Sequence, residues 1–424
     1  MVARRSARSQ PHNTVVFLGA GASRPFGFPL TSDILQRIWN GLHTAKGSDS
    51  WQRWGGMKGR RTDARALSTF LQALLPGLTH SGNLDGGTSI IDVISLIDQM
   101  VTEGRTPHPS LTVRDVVNAR RVLDRALNGV LQGKDKLHYA HQLARWILGN
   151  ATESAKRRVS VVSTNYDTVV EGALFSRLVR NGISVGGHVD LGMSWRDAFR
   201  SQLHQRPQDA HLALFKLHGS LNWLRCELCG YMTVNVRKRI ASLDSRETHS
   251  PRGYNVCHCG GLLRMLLVTP SVARDVRDSS LLGIWKAALE DLRSAREWIL
   301  MGYSLPIEDI AIRSLLLRAW HSRRYTGLKV TVVQHDPADR PCPSGTYQRY
   351  RVFFPATALP EKRYLRTGME PFVDALPLVS ELELDARLSE HMGGWSREKI
   401  ESREKEKALI AKERSSVRRV RHSG

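Results

Sequence analysis

The sequence has no run of about 18 apolar residues, so nothing in it reads as a membrane span. It also lacks a recognisable secretory leader. The first ten residues, MVARRSARSQ, carry three arginines, and the apolar stretch that follows, NTVVFLGAGAS, is too short and too rich in glycine for a leader's apolar region. A cytoplasmic protein with no membrane association is expected. Cysteine is scarce, with five residues in 424. Four of them, Cys226, Cys229, Cys257 and Cys259, fall close together, and Cys342 stands alone. In a cytosolic chain such a group suggests metal before disulfide. No internal repeat is visible. Acidic residues are few against basic ones, 40 to 62, which leaves a net charge of +22. The basic segments 1–10 and 396–424 account for +8 of this, and +14 remains on the body. A basic field attracts polyanions, so nucleic acid is a possible partner. No recognition helix, finger or aromatic-rich binding sheet accompanies the charge, and no motif indicates nucleic acid.

What is present is a chain long enough for two or three domains or one elaborated domain, with 41% hydrophobic residues to build a core. Short β-branched runs predict strands at 14–19, 159–163, 212–217, 265–270, 298–302 and 329–333. Helical spacing of apolar residues fills 31–39, 66–78, 89–100, 112–150, 281–296 and 308–320. Thr31 or Ser32 is expected to cap the first helix, and Ser89 with Asp92 has capping-box spacing. Strands alternating with helices predict an α/β fold with a doubly wound, Rossmann-like parallel sheet. The expected layout is a basic tail over 1–12, a Rossmann-type domain over 13–340, a C-terminal extension over 341–394 and a charged tail over 395–424. A helical insertion over 31–150 and a small zinc-ribbon-like cysteine module over 226–260 interrupt the core.

Three polar clusters, at 163–167, 216–223 and 302–306, sit at the carboxyl ends of predicted strands, where open α/β sheets bind ligands, and a glycine-rich turn follows the first strand. Gly19-Ala20-Gly21-Ala22-Ser23 follows the first strand, and small residues there let backbone N–H groups approach a diphosphate. The third glycine of the usual dinucleotide fingerprint is missing, and Gly27 comes later. Ser163-Thr164-Asn165-Tyr166-Asp167 ends the second strand. Lys216-Leu217-His218-Gly219-Ser220-Leu221-Asn222-Trp223 ends another. Gly302-Tyr303-Ser304-Leu305-Pro306 supplies a further turn of the same kind.

In this order, with Gly27-Phe28-Pro29 after the glycine-rich turn, the set resembles the SIR2-like (sirtuin) superfamily. It is closer to the bacterial SIR2-like NADases of antiphage defence than to the protein-deacylating sirtuins. The resemblance covers about residues 13–337. It implies an NAD site and a reaction at the ribose carbon that carries nicotinamide. Gly19, Ala20, Gly21, Ala22, Ser23 and Thr164 would surround the cofactor. His218, Asn165 and Asp167 would be the catalytic group. Gly302 and Ser304 would meet the ribose, and Gln334 and Asp336 the adenosine end. Two positions depart from the deacylases. Their Asp-Phe-Arg segment is replaced by Gly27-Phe28-Pro29-Leu30, and their Gln before the Asn is Thr164.

The resemblance therefore points to an NAD+ hydrolase that releases nicotinamide and ADP-ribose, triggered by homo-oligomer assembly or by a defence partner protein. A protein deacylase or ADP-ribosyltransferase, and a non-catalytic NAD or ADP-ribose sensor, are the alternatives. The side chains suit glycosidic cleavage. Asp167 can oppose the positive charge that develops on the ribose, Asn165 can hold a water, and His218 can take its proton. The four cysteines read Cys-x2-Cys and then Cys-x-Cys. Paired thiolates from two loops suit a closed structural zinc site, although the second pair is one residue short and leaves His258 as a possible substitute ligand.

Overall fold

The computed structural model describes residues 13–43, 61–77, 88–131, 136–151, 157–198, 202–236, 256–268, 279–336, 345–377, 380 and 383–384. The expected tails, 1–12 and 395–424, and Cys342 lie outside these residues. The strands are β1 (Thr14–Leu18), β2 (Val159–Ser163), β3 (Val189–Asp190), β4 (Trp195–Asp197), β5 (Leu203–His204), β6 (Leu212–Lys216), β7 (Gly219–Cys226), β8 (Met232–Val234), β9 (Leu263–Leu267), β10 (Glu297–Met301), β11 (Lys329–Val333) and β12 (Tyr364–Leu365). The helices are α1 (Thr31–His43), α2 (Arg61–Leu74), α3 (Ile90–Glu103), α4 (Val113–Val130), α5 (Leu137–Asn150), α6 (Val169–Arg180), α7 (Val185–His188), α8 (Ser279–Ser294), α9 (Ile310–His321), α10 (Gly345–Phe353) and α11 (Met369–Asp374).

Seven strands form one parallel sheet in the order β12-β11-β10-β1-β2-β6-β3. This is the expected doubly wound arrangement. The central strands are buried along nearly their whole length, as a parallel sheet covered on both faces requires. The run VSVVS of β2 is an example. The chain leaves β1 toward β2 and β6 on one side and returns to β10, β11 and β12 on the other. The switch point therefore lies at β1, where a crevice opens at the carboxyl ends.

Helices α1 to α5 lie between β1 and β2 in the chain, where a helical insertion was expected. Helix α4 packs against α1, α2 and α3, and α5 packs against α6 beside the sheet. The capping box at Ser89 and Asp92 forms, and a second one at Thr112 and Asp115 starts α4. Such a cap contributes about 1 kcal/mol. Helix α1 begins at Thr31 itself, and the Ser32 hydroxyl donates to Asp33 Oδ1 at 2.9 Å. The Asp33 carboxylate also takes the Leu30 N–H at 3.3 Å.

Two features were not anticipated. The strand at 263–267 does not join the parallel sheet. It pairs antiparallel with β7 in a second sheet of order β5-β4-β8-β7-β9, which carries the cysteines. The main sheet also continues beyond residue 340, because β12 pairs with β11. Tyr350 of α10 is buried there and donates to the Tyr303 carbonyl at 2.6 Å. A two-residue strand carries too little periodicity to be read in advance. No helix among the described residues is long and apolar enough to cross a membrane.

Candidate active site

Register explains why distant segments meet. Leu18 of β1 stands beside Ser163 of β2 and Met301 of β10. Ser163 stands beside Lys216 of β6, and Met301 beside Val333 of β11. Five neighbouring strands thus end on one row. The residues that follow each of them, from Gly19, Thr164, Leu217, Gly302 and Gln334 onward, emerge at a single rim. A cleft of about 1080 Å³ opens there.

The first two glycines serve loop packing. The Gly19 N–H donates to the Met301 carbonyl at 2.9 Å, the Gly21 N–H to Gly302 at 2.8 Å, and the Ala22 N–H to Gly19 at 2.9 Å. A Cβ at Gly19 would stand 2.6 Å from the Gly302 oxygen and the Tyr303 Cα. Gly302 has φ +63°, and a Cβ there would stand 1.9 Å from the Ala22 nitrogen. The two turns interlock at backbone distance, which only glycine allows. The N–H groups of Gly19, Gly21 and Ala22 are therefore engaged within the protein, contrary to the diphosphate role expected of them. The loop continues as a short 3-10 helix, Ala20–Phe26, closed by Gly27 at φ 82°.

Asn165 ties β2 to this turn. Its Nδ2 donates to the Gly19 carbonyl at 2.9 Å and to Ser23 Oγ at 3.0 Å. The Ser23 hydroxyl in turn donates to Asp167 Oδ2 at 2.7 Å, and the Val169 N–H donates to Oδ1 at 3.1 Å. Asp167 is 7% exposed, so its charge is held just behind the Ser23 hydroxyl.

His218 is 4% exposed and lines the same cleft. Its Nδ1 lies 3.2 Å from the Thr164 carbonyl. A carbonyl oxygen only accepts, so Nδ1 carries the proton and Nε2 carries the lone pair in the neutral ring. Tyr166 and Trp285 flank the imidazole with ring centroids 6.4 and 6.5 Å away. The Val268 N–H donates to the His218 carbonyl at 2.9 Å, which extends the β9 pairing to this residue. The next residue, Gly219, has φ +81°, and a Cβ there would stand 2.0 Å from the Leu266 carbonyl oxygen. The glycine after His218 is thus dictated by the β9 contact.

Of the residues expected in the site, His218, Asn165, Asp167, Ala20, Gly21, Ser23, Thr164, Gly302, Ser304 and Gln334 line the cleft. Gly19, Ala22 and Asp336 do not. Asp336 is turned into the fold, where it accepts from the Tyr364 hydroxyl at 3.2 Å and lies 3.7 Å from Arg366. Its neighbour His335 faces the cleft instead. Gln334 spends its amide on the Tyr303 carbonyl. In the adjoining loop Tyr303 donates to Asp309 at 2.9 Å, and burial pushes its phenol well above the usual range. Leu305 is held at φ 51°, in the left-handed region. Sequence reasoning missed Arg24, Lys136, Met369 and Glu370, which also line the cleft. Lys136 and Glu370 form an ion pair that links α5 to α11. No motif marks residues whose only common property is their place at the rim.

The four cysteines converge as expected, with all Sγ atoms within 4.8 Å of one another. Cys226 and Cys259 are 3.4 Å apart, and Cys229 and Cys257 are 3.7 Å apart. Zinc–sulfur bonds of about 2.3 Å in a tetrahedron place sulfurs about 3.8 Å apart, so the set fits a structural zinc. The Cys229 N–H points at Cys226 Sγ, at 3.5 Å. A Cβ at Gly261 would fall 2.6 Å from the same sulfur. Burial raises the Cys257 thiol to about 12, whereas a backbone N–H bond lowers Cys259 to about 7. His258 is not needed as a ligand. Its Nδ1 lies 3.1 Å from Cys257 Sγ, and its ring meets Tyr231 edge-on.

No protein-family model and no curated protein matches the chain. Among solved structures it is similar to a Sir2 homologue point mutant with ADP-ribose, at 13% identity and a TM-score of 0.36 over 90% of this chain and 93% of that one. It is similar also to a Sir2–p53 peptide–NAD+ complex, at 13% identity and a TM-score of 0.36 over 86% and 90%. A Sir2 homologue–NAD complex stands at 14% identity and a TM-score of 0.34 over 90% and 91%. These are structures of the superfamily that the motif set resembles. At such TM-scores the chemistry of this cleft is read from its own side chains.

Proposed function

We propose that the cleft takes NAD+ and hydrolyses its nicotinamide–ribose bond. One observation carries the reading. Asn165, Ser23 with Asp167 behind it, and His218 line one cleft from three strand ends, although they are up to 195 positions apart in the chain. The cleft is large enough for a dinucleotide, since drug-sized ligands occupy roughly 300–1,000 Å³. Arg24 and Lys136 are the lining cations that suit a diphosphate, a part that Gly19 and Gly21 cannot play through their engaged N–H groups.

The chemistry follows from the positions. Nicotinamide leaves with the bonding pair and becomes neutral, so it needs no acid. The ribose carbon gains positive charge, which the Asp167 carboxylate opposes through the Ser23 hydroxyl. With its NH2 committed to Gly19 and Ser23, Asn165 has its carboxamide oxygen to orient a water. His218 Nε2 accepts the water's proton as oxygen bonds to carbon, and the products are ADP-ribose, nicotinamide and one proton. A positioned base contributes about 10²–10⁴-fold. The departures at Gly27-Phe28-Pro29-Leu30 and Thr164 favour hydrolysis over deacylation. The setting that goes with this activity is depletion of NAD in bacterial antiphage defence, with assembly of copies or a partner protein as the trigger.

The test is chromatographic detection of nicotinamide from NAD+ without any peptide, over a range of protein concentrations. Release by the wild type is expected, with a loss of about 10²–10⁴-fold in His218→Ala at unchanged melting temperature. Release only in the presence of an acylated peptide would overturn hydrolysis in favour of deacylation. Tight ADP-ribose binding with no release would leave a sensor.

A further inference from the structure

Behind the cleft lies a charged pair that the proposed chemistry does not use. Lys216 is the last residue of β6, two positions before His218, and is 2% exposed. Glu171 stands in the first turn of α6, four positions after Asp167, and is 3% exposed. Lys216 Nζ lies 3.1 Å from Glu171 Oε2 and also donates to the backbone carbonyl of Asp167. Ser220, two residues after His218, has its hydroxyl 3.4 Å from the same Glu171 oxygen. The Leu221 N–H donates to the Tyr166 carbonyl at 3.0 Å.

Such a pair is a poor way to stabilise a fold. Desolvation offsets its Coulomb attraction, and an apolar pair of similar volume often serves stability as well or better. Burial indeed pushes the Glu171 carboxyl up, against the pull of Lys216. What the pair does have is placement. It joins the segment that carries Asn165 and Asp167 to the segment that carries His218, through one residue of a helix and one of a strand. From Lys216 the bonds run to the Asp167 carbonyl, from the Asp167 carboxylate to Ser23, and from Ser23 to Asn165. Across the same gap His218 Nδ1 meets the Thr164 carbonyl at 3.2 Å, and the Leu221 N–H bond to Tyr166 runs beside it.

We infer that Lys216 and Glu171 are positioning residues that hold the 164–167 turn against the His218 segment and so keep the imidazole in its Nδ1–H form. The kinetic part of this inference rests on the proposed hydrolysis; the tautomer part does not. The test is the variant Lys216→Met with Glu171→Leu, which removes both charges of the pair together. It is read by histidine-labelled NMR of the full chain, with the His218 signal assigned from His218→Ala.

The double variant is expected to melt near the wild type, to shift His218 toward a mixture of tautomers, and to lose about ten- to a hundredfold in kcat with KM little changed. A folded double variant with the wild-type His218 spectrum and kcat would overturn the inference. If the double variant does not fold, Glu171→Asp decides. It keeps both charges and draws the carboxylate back by one methylene, so an unchanged His218 spectrum would refute the positioning role. A wild type that releases no nicotinamide would count against hydrolysis alone, because the tautomer reading still decides this one.

Discussion

The interlock of the two turns makes a sharp prediction at Gly302. Replacing it by alanine places a methyl 1.9 Å from the Ala22 nitrogen and 2.4 Å from the Gly21 carbonyl carbon. Ordinary contact begins at 3.4 Å, so the turns must part by about 1.5 Å or the backbone must rotate out of φ +63°. A left-handed alanine costs about 1–2 kcal/mol, and overpacking against backbone adds about 1–3 kcal/mol. The sum of about 2–5 kcal/mol corresponds to a fall of roughly 4–20 °C in Tm, at about 2–4 °C per kcal/mol. Gly327 is the control, because it has φ +78° with nothing within 4 Å of its would-be Cβ. Gly327→Ala should lose only the conformational part, about 1–2 kcal/mol. Calorimetry on the two variants separates strain from collision. Since the displaced turn also carries Ser23, a shift of about 1 Å should remove about 10²-fold of nicotinamide release in Gly302→Ala alone. If Gly302→Ala melts no lower than Gly327→Ala, the close-packing account of the glycines is wrong.

Two further outcomes follow from the same geometry. The purified protein should carry about one zinc per chain by elemental analysis. Chelation or Cys226→Ser should lower Tm and activity together, because β7 runs from the first thiol to the residue after His218. A metal-free protein whose melting ignores chelator would refute the site. At the far end of the sheet, burial opposes ionisation of Asp190, but Arg206, Arg158 and the Gly192 N–H outweigh it and hold the carboxyl below its usual 3.8. A depressed carboxyl contributes stability above the unfolded value and loses it as pH falls through the folded one. Asp190→Asn should therefore cost about 3 kcal/mol at neutral pH, the low end for a buried pair because Arg206 is two-fifths exposed. The deficit should shrink as pH falls below the ordinary value. A deficit that stays constant from neutral to acid pH would refute the assignment.

Much of the molecule was legible in the sequence. Buried parallel strands must be apolar on both faces, so VVFL, VSVV and KVTVV announce themselves without knowledge of their neighbours. Capping boxes and glycine turns are equally local, and the four thiols are bound by chemistry more than by place. Hence the α/β class, the helical stretch after β1, the cysteine module and the polar clusters at strand ends could all be read in advance. Tertiary structure decided what depends on partners distant in the chain. Only register shows that five strands end on one row. The approach of Gly302 engages the N–H groups of Gly19 and Gly21 that were expected to meet phosphate, and contacts with Tyr364 and Arg366 draw Asp336 away from the cleft. Lys136 and Glu370 owe their place to packing between helices that share no pattern. Local propensity acts over a few residues and is written in the sequence, whereas proximity across hundreds of residues exists only once the chain has folded.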